Sequence, residues 1–136
     1  MLKLVLNIIV FSVVVTFNAL GQSELKSCYK NFDAGFILNE KEYKIVVKEN
    51  EAATFHITFL ENFTYRLSAC TNINDGQLVL EVYDLENNLL FSNEKHEYSA
   101  YWDFKCVTTM ECVIKIQVSG TEFQKGIVYL LSGYKI

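Results

Sequence analysis

The chain has 136 residues, with 12 basic and 16 acidic side chains, a formal charge of −4, four cysteines and no proline. A mild acidic excess without clustered Lys and Arg excludes a nucleic-acid partner, whose phosphates call for a basic surface. The length suits one domain with a core and is short for two.

In chain order, the first segment is "MLKLVLNIIVFSVVVTFNALGQSE". Lys3 precedes an apolar run from Leu4 to Phe17, interrupted at Asn7, and small residues follow near Gly21. This layout predicts a secretory signal peptide at residues 1–21, with Ala19 and Gly21 in the small-residue positions of the cleavage site. The run falls short of the ~20 apolar residues of a membrane span, so no span is expected in the mature chain. Cys28 lies too far past Gly21 for lipid attachment at the cleavage point. The expected organisation is therefore a signal peptide, 1–21, and a single domain, 22–136, delivered to the periplasm, the cell surface or the medium.

All four cysteines, Cys28, Cys70, Cys106 and Cys112, fall after the cleavage point, and an even number in a small exported domain predicts two disulfides. Zinc is the alternative, but only "CVTTMEC" is close-spaced and no second Cys or His pair stands at ligand spacing.

From about Lys41 the chain reads as short alternating runs. "YKIVVK" opens them. "AATFHITF" places Ala53, Phe55, Ile57 and Phe59 on one face and Thr54, His56 and Thr58 on the other, the period of two of a half-buried strand. "FTYRLSA" repeats this with Phe63, Tyr65, Leu67 and Ala69 inward, and the short "LEN" between the two runs predicts a hairpin. Next come "QLVLEVYDLENNLLFSN", "YSAYWDFKC", "CVIKIQVSG" and "GIVYLLSGYKI". About eight strands and no amphipathic helix predict an all-β, antiparallel β-sandwich of jelly-roll type, with a barrel as the alternative.

Register selects the cysteine pairing. Setting Cys106 opposite Cys112 places Phe104 by Ile114, Trp102 by Ile116 and Ala100 by Val118 on one face, with Asp103 by Lys115 on the other. Opposed residues lie at separations a disulfide spans. Cys28 is then left for Cys70, a bridge that draws the N-terminal segment across the outer edge of the sheet.

"DLENN" raises the question of a metal. Against the calcium loop, Asp84, Glu86 and Asn88 fit the first three donor positions, but Leu89 takes the glycine position and Lys95 that of the bidentate glutamate. No metal or other cofactor is therefore expected, and Asp84, Glu86 and Asn88 are the residues that would hold calcium if one bound. The competing reading is a turn in which the Asp84 carboxylate accepts backbone N–H groups, pairing Val82 with Leu89 and Leu80 with Phe91. His56 and His96 have no clustered partners, there is no nucleophile elbow around a serine, and no acid pair is placed for proton transfer. No catalytic residue is assigned. Tyr83, Tyr101 and Arg66 fall on outward faces and form the candidate binding surface, whereas Trp102 falls inward.

The stretch from Ala53 to the C-terminus resembles small uncharacterised exported proteins of Bacteroidetes-type bacteria. The resemblance is carried by the "YRL" strand ending in cysteine, the "VYD…LLF" strand-turn and the Trp102-Asp103-Phe104 strand. It is also similar to bacterial pre-peptidase C-terminal domains through "CVIKIQVSG…GIVYLLSG", although only Glu81 stands where that family carries an acidic pair. The resemblance implies a β-sandwich and a targeting or binding role. The expected function is a non-catalytic exported module that binds a protein or glycan partner. The alternatives are a carbohydrate- or calcium-binding accessory domain and a hydrolase or hydrolase inhibitor.

Overall fold

The computed structural model describes residues 26–32 and 35–136, so the predicted signal peptide lies outside the described residues. Among the described residues nine strands follow a short helical segment: β1 (Ile37–Leu38), β2 (Tyr43–Lys48), β3 (Ala53–Phe59), β4 (Thr64–Thr71), β5 (Gln77–Asp84), β6 (Leu89–Ser92), β7 (Tyr101–Lys105), β8 (Met110–Ser119) and β9 (Lys125–Lys135). They form two antiparallel sheets. In the first, β9 pairs β1 and β2 on one side and β4 on the other, and β4 pairs β7. In the second the order is β3-β8-β5-β6. The apolar alternation read from the sequence faces the space between the sheets. Phe55, Phe59, Leu80, Val82, Ile114 and Ile116 of the second sheet meet Tyr65, Leu67, Ala69, Val128 and Leu130 of the first in one buried core.

Two predicted hairpins do not form. β3 belongs to the second sheet and β4 to the first, as do β8 and β7 respectively, so each connection crosses the sandwich. Cys112 therefore opposes Ile57 and Asp84, while Asp103 opposes Arg66 instead of Lys115. The predicted Cys106–Cys112 disulfide is corrected accordingly, since both residues are buried free thiols. Apolar side chains facing each other across a core satisfy the same parity as side chains opposed along a ladder, which is why the register argument fitted. Among the described residues one disulfide is formed, Cys28–Cys70, closing a separation of 42 residues.

The β5–β6 hairpin does form, but its ladder is shifted from the predicted one. Val82 opposes Phe91, and a bulge follows before Tyr83 opposes Leu89. One residue, Leu90, forms the bulge, and the turn beyond it closes with the Asp84 N–H donating to the Asn88 carbonyl.

Residues 26–29 are helical and Lys30–Phe32 form a 3-10 turn. This segment lies on the outer face of the first sheet, over its middle rather than its edge. Cys28, Phe32, Cys70, Tyr129 and Leu131 make a second buried cluster there. It explains why "IVYLL" in β9 does not alternate, because both faces of that strand are covered. Gly133 permits the approach: a Cβ there would stand 2.8 Å from the Phe32 ring and 3.2 Å from the Ile37 carbonyl oxygen.

Candidate functional site

Arg66 projects from β4 on the outer face of the first sheet, opposite Asp103 of β7. Its Nε and Nη2 donate to Oδ1 and Oδ2 of Asp103, both at 2.6 Å, and Nη1 donates to the Asn31 carbonyl. The guanidinium carbon lies 4.5 Å from the ring centroids of both Phe36 and Tyr101. Asn31 in turn donates from Nδ2 to Ser68 Oγ at 2.9 Å. Arg66 thus joins β4, β7 and the N-terminal segment. Of the three residues read as a surface, Arg66 and Tyr101 adjoin each other, while Tyr83 stands on the second sheet. There its hydroxyl donates to Glu81 at 2.9 Å and the Lys115 ammonium lies 5.0 Å from its ring centroid.

In the β5–β6 turn, Asp84 Oδ1 accepts the backbone N–H groups of Glu86 and Asn88 at 2.9 and 2.8 Å, and Oδ2 accepts the Asn88 side-chain amide at 2.9 Å. The Asn88 side chain, then the backbone N–H groups of Asn88 and Glu86, hold the Asp84 carboxyl below its ordinary value. Glu86 contributes its backbone rather than its carboxylate to this network. Among the described residues no three His, Cys, Asp or Glu side chains gather closely enough to hold a metal ion.

His56 is exposed on the second sheet beside Val113, which itself pairs with Tyr83. His96 closes a stack of rings: His96 on Phe91 at 5.2 Å, Phe91 on Trp102 at 4.6 Å and Trp102 on Phe104 at 4.2 Å, all within 19° of parallel. Trp102, read as inward, is half-buried in this stack. Asn93, at the start of the 3-10 turn Asn93–His96, anchors the linker. Its Oδ1 accepts the Leu80 N–H at 2.8 Å, and its Nδ2 donates to the Leu78 and Ser99 carbonyls at 2.9 and 3.1 Å. No pattern in "SNEKHEY" marks Asn93, because two of its three partners, the Leu80 N–H and the Leu78 carbonyl, come from β5, more than ten residues away.

The pairings bring the β3–β4 loop, the β5–β6 turn and the β7–β8 loop to one end of the sandwich. The first and third of these are joined there, with Asn62 N–H donating to the Cys106 carbonyl and Glu61 N–H to Thr109 Oγ1. Each carries an exposed apolar side chain: Leu60 (52% exposed), Leu85 (61%) and Val107 (78%). Beside Leu60 a cleft of about 500 Å³ opens between the sheets, lined mainly by Ile37, Ile57, Phe63, Tyr65 and Tyr134. The opposite end differs. Loops 49–52, 72–76 and 120–124 hold Glu49, Glu51, Asp75 and Glu122, and none of their described residues is an exposed large apolar one. The sequence shows these apolar loop residues but not their common end, which depends on the crossing topology.

No family model and no curated protein matches the chain. A fold likeness is found in the crystal structure of Aeromonas hydrophila PliG, a periplasmic lysozyme inhibitor of g-type lysozyme. It has a TM-score of 0.52 and 7% identity, covering 70% of this chain and 85% of that one. The likeness supports the all-β architecture, and at this identity it concerns the fold alone. The similarity to pre-peptidase C-terminal domains gains no support beyond that shared all-β character.

Proposed function

We propose that the chain is an exported, non-catalytic module that binds a protein partner through the apolar end of its sandwich. The observation that carries this reading is that Leu60, Leu85 and Val107 are exposed on loops of one end, where Leu60 also lines an apolar cleft, while loops 49–52, 72–76 and 120–124 at the other end are polar. Contiguous apolar surface exposed to water is costly, and its usual use is a docking patch. Export is supported by the predicted signal peptide, by the Cys28–Cys70 disulfide, which persists in oxidising compartments, and by the periplasmic residence of PliG. We read the strand order, with β1 and β2 sharing one edge position, as a jelly roll.

A second reading, favoured by the likeness to PliG, is that the partner is a hydrolase and the module its inhibitor. A rigid sandwich that offers apolar loops from one end suits insertion into an enzyme cleft. Binding to, and inhibition of, purified g-type lysozymes and other cell-wall hydrolases tests both readings, with Val107→Asp and Leu60→Asp as comparisons. Binding that both substitutions weaken supports the docking end. Unchanged affinity in both overturns it, and binding without inhibition removes the second reading alone.

A further inference from the structure

The ring stack ends at a second cleft, of about 360 Å³, on the flank of the sandwich between the β6 and β7 edges. Its lining combines Phe91, Trp102, Tyr101 and His96 with Ser99 and Asp103. Rings and short polar groups share this opening, unlike the mainly apolar cleft beside Leu60. His96 is exposed, with one ring face on Phe91, and Tyr101 is 40% exposed above the Arg66 guanidinium. The polar groups are mixed in sense. Asp103 supplies carboxylate oxygens, each of which keeps lone pairs beyond its bond to Arg66; Ser99 supplies a hydroxyl, and His96 and Tyr101 can donate or accept.

The backbone that presents these groups is itself unusual. Glu97 and Tyr98 are consecutive non-glycine residues in the left-handed region, both with φ of 55°. Such residues cost about 1–3 kcal/mol each and persist where the surroundings over-determine them, commonly at binding sites. Here the Asn93 carbonyl accepts the Tyr98 N–H at 2.9 Å and the His96 carbonyl accepts the Ser99 N–H at 3.1 Å. Together these bonds fix His96 and Ser99 at the rim.

We propose that this flank cleft is a saccharide-binding subsite that takes a neutral pyranose unit. A pyranose has an apolar face of C–H groups and an equatorial ring of hydroxyls, each both donor and acceptor. The first matches the ring surfaces of His96 and Tyr101 that remain exposed, the faces of Phe91 and Trp102 being taken by the stack, and the second matches the mixed rim. Among the described residues Arg66 is the cation bound into the rim, and it is committed to Asp103, Asn31 and two rings, an arrangement that suits a neutral ligand. The subsite lies apart from the apolar end, and its failure would leave the protein-binding reading standing.

Trp102 is the single tryptophan of the chain, so its emission reports on this cleft directly. The full chain is titrated with glucose, galactose, mannose, N-acetylglucosamine and their β-linked oligomers to about 50 mM, a range set by the millimolar affinities of small contacts. The expected result is a saturable emission change with matching calorimetric heat for at least one sugar. Affinity is expected to fall about tenfold in His96→Ala and in Tyr101→Ala, and to persist in Tyr83→Ala on the other sheet. Both affected side chains are exposed, and an unchanged circular dichroism spectrum shows that the fold is kept. Absence of a saturable response to every sugar overturns the proposal, as does a response that survives in the His96→Ala/Tyr101→Ala double variant.

Discussion

Arg66 and Asp103 meet across the β4–β7 ladder in two 2.6 Å bonds, and the same guanidinium also bonds the Asn31 carbonyl of the segment above it. The side chain of Asp103 is 40% exposed and that of Arg66 only 13%, so the pair is partly screened and the larger effect follows removal of the arginine. Arg66→Ala is expected to cost about 2 kcal/mol and Asp103→Ala about 1 kcal/mol in urea unfolding. Arg66→Lys is expected to resemble Arg66→Ala, because a lysine cannot reproduce the planar fork. Equal stability of Arg66→Ala and wild type would show the network to be ornamental.

Asn93 is fully buried, and its side chain satisfies three backbone groups. Asn93→Ala leaves the Leu80 N–H and two carbonyls without these partners, for an expected loss of about 2–3 kcal/mol. The check is chemical denaturation, with Asn93→Asp as a companion that keeps the acceptor for Leu80 and loses both donations.

The two buried thiols should differ sharply from the bridged pair. Burial, with the neighbouring Cys106 and Asp84 adding to it, pushes the Cys112 thiol up to about 11, and burial raises that of Cys106. Under non-reducing conditions a thiol-specific reagent at pH 8 should find no reactive group in the native protein and two after unfolding. Two disulfides and no thiol after unfolding would contradict the structure. Replacing Cys28 and Cys70 by serine should cost about 4 kcal/mol, the chain-entropy value for a loop of this length.

Asp84 is the residue through which acid should loosen the β5–β6 turn. Its carboxyl is held below the ordinary value, so its contribution is present above the unfolded-state value and disappears as pH falls through the lower folded one. Melting temperature followed from pH 6 to pH 2 should therefore drop less in Asp84→Ala than in wild type, starting from a lower plateau. Parallel curves would remove the carboxylate from the account of the turn.

For the docking end, Val107→Asp and Leu60→Asp alter exposed side chains, and stability should change by no more than about 0.5 kcal/mol while partner binding weakens. A loss of both together would instead assign those residues to the fold.

The faces of the strands were legible in the sequence, while their partners were less so. Phe55, Leu67, Ile114 and Ile116 alternate with polar residues and are buried as that pattern requires. The pattern does not say whether two apolar faces meet along a ladder or across a core, so it fits hairpins between β3 and β4 and between β7 and β8 as well as the crossings that the chain makes. The unbroken "IVYLL" of β9 was the available sign of a strand covered on both faces, with Cys28 supplying the cover. Of the proposed surface residues, Arg66 and Tyr101 do adjoin each other. Trp102, His96 and Phe91 come together only through the linker that Asn93 holds.

The position of β9 has a consequence for the order in which the molecule can be made. It is the central strand of the first sheet, between β1 and β2 on one side and β4 on the other, so none of those three has its main partner until residues 125–135 are available. Among the described residues the one pairing of sequence-adjacent strands is the short β5–β6 ribbon, too small to hold on its own. A chain threaded from its N-terminus through a translocation channel would therefore stay extended until nearly all of it had passed, then close in one late step. That order suits the export proposed above, in which the chain would cross a membrane unfolded.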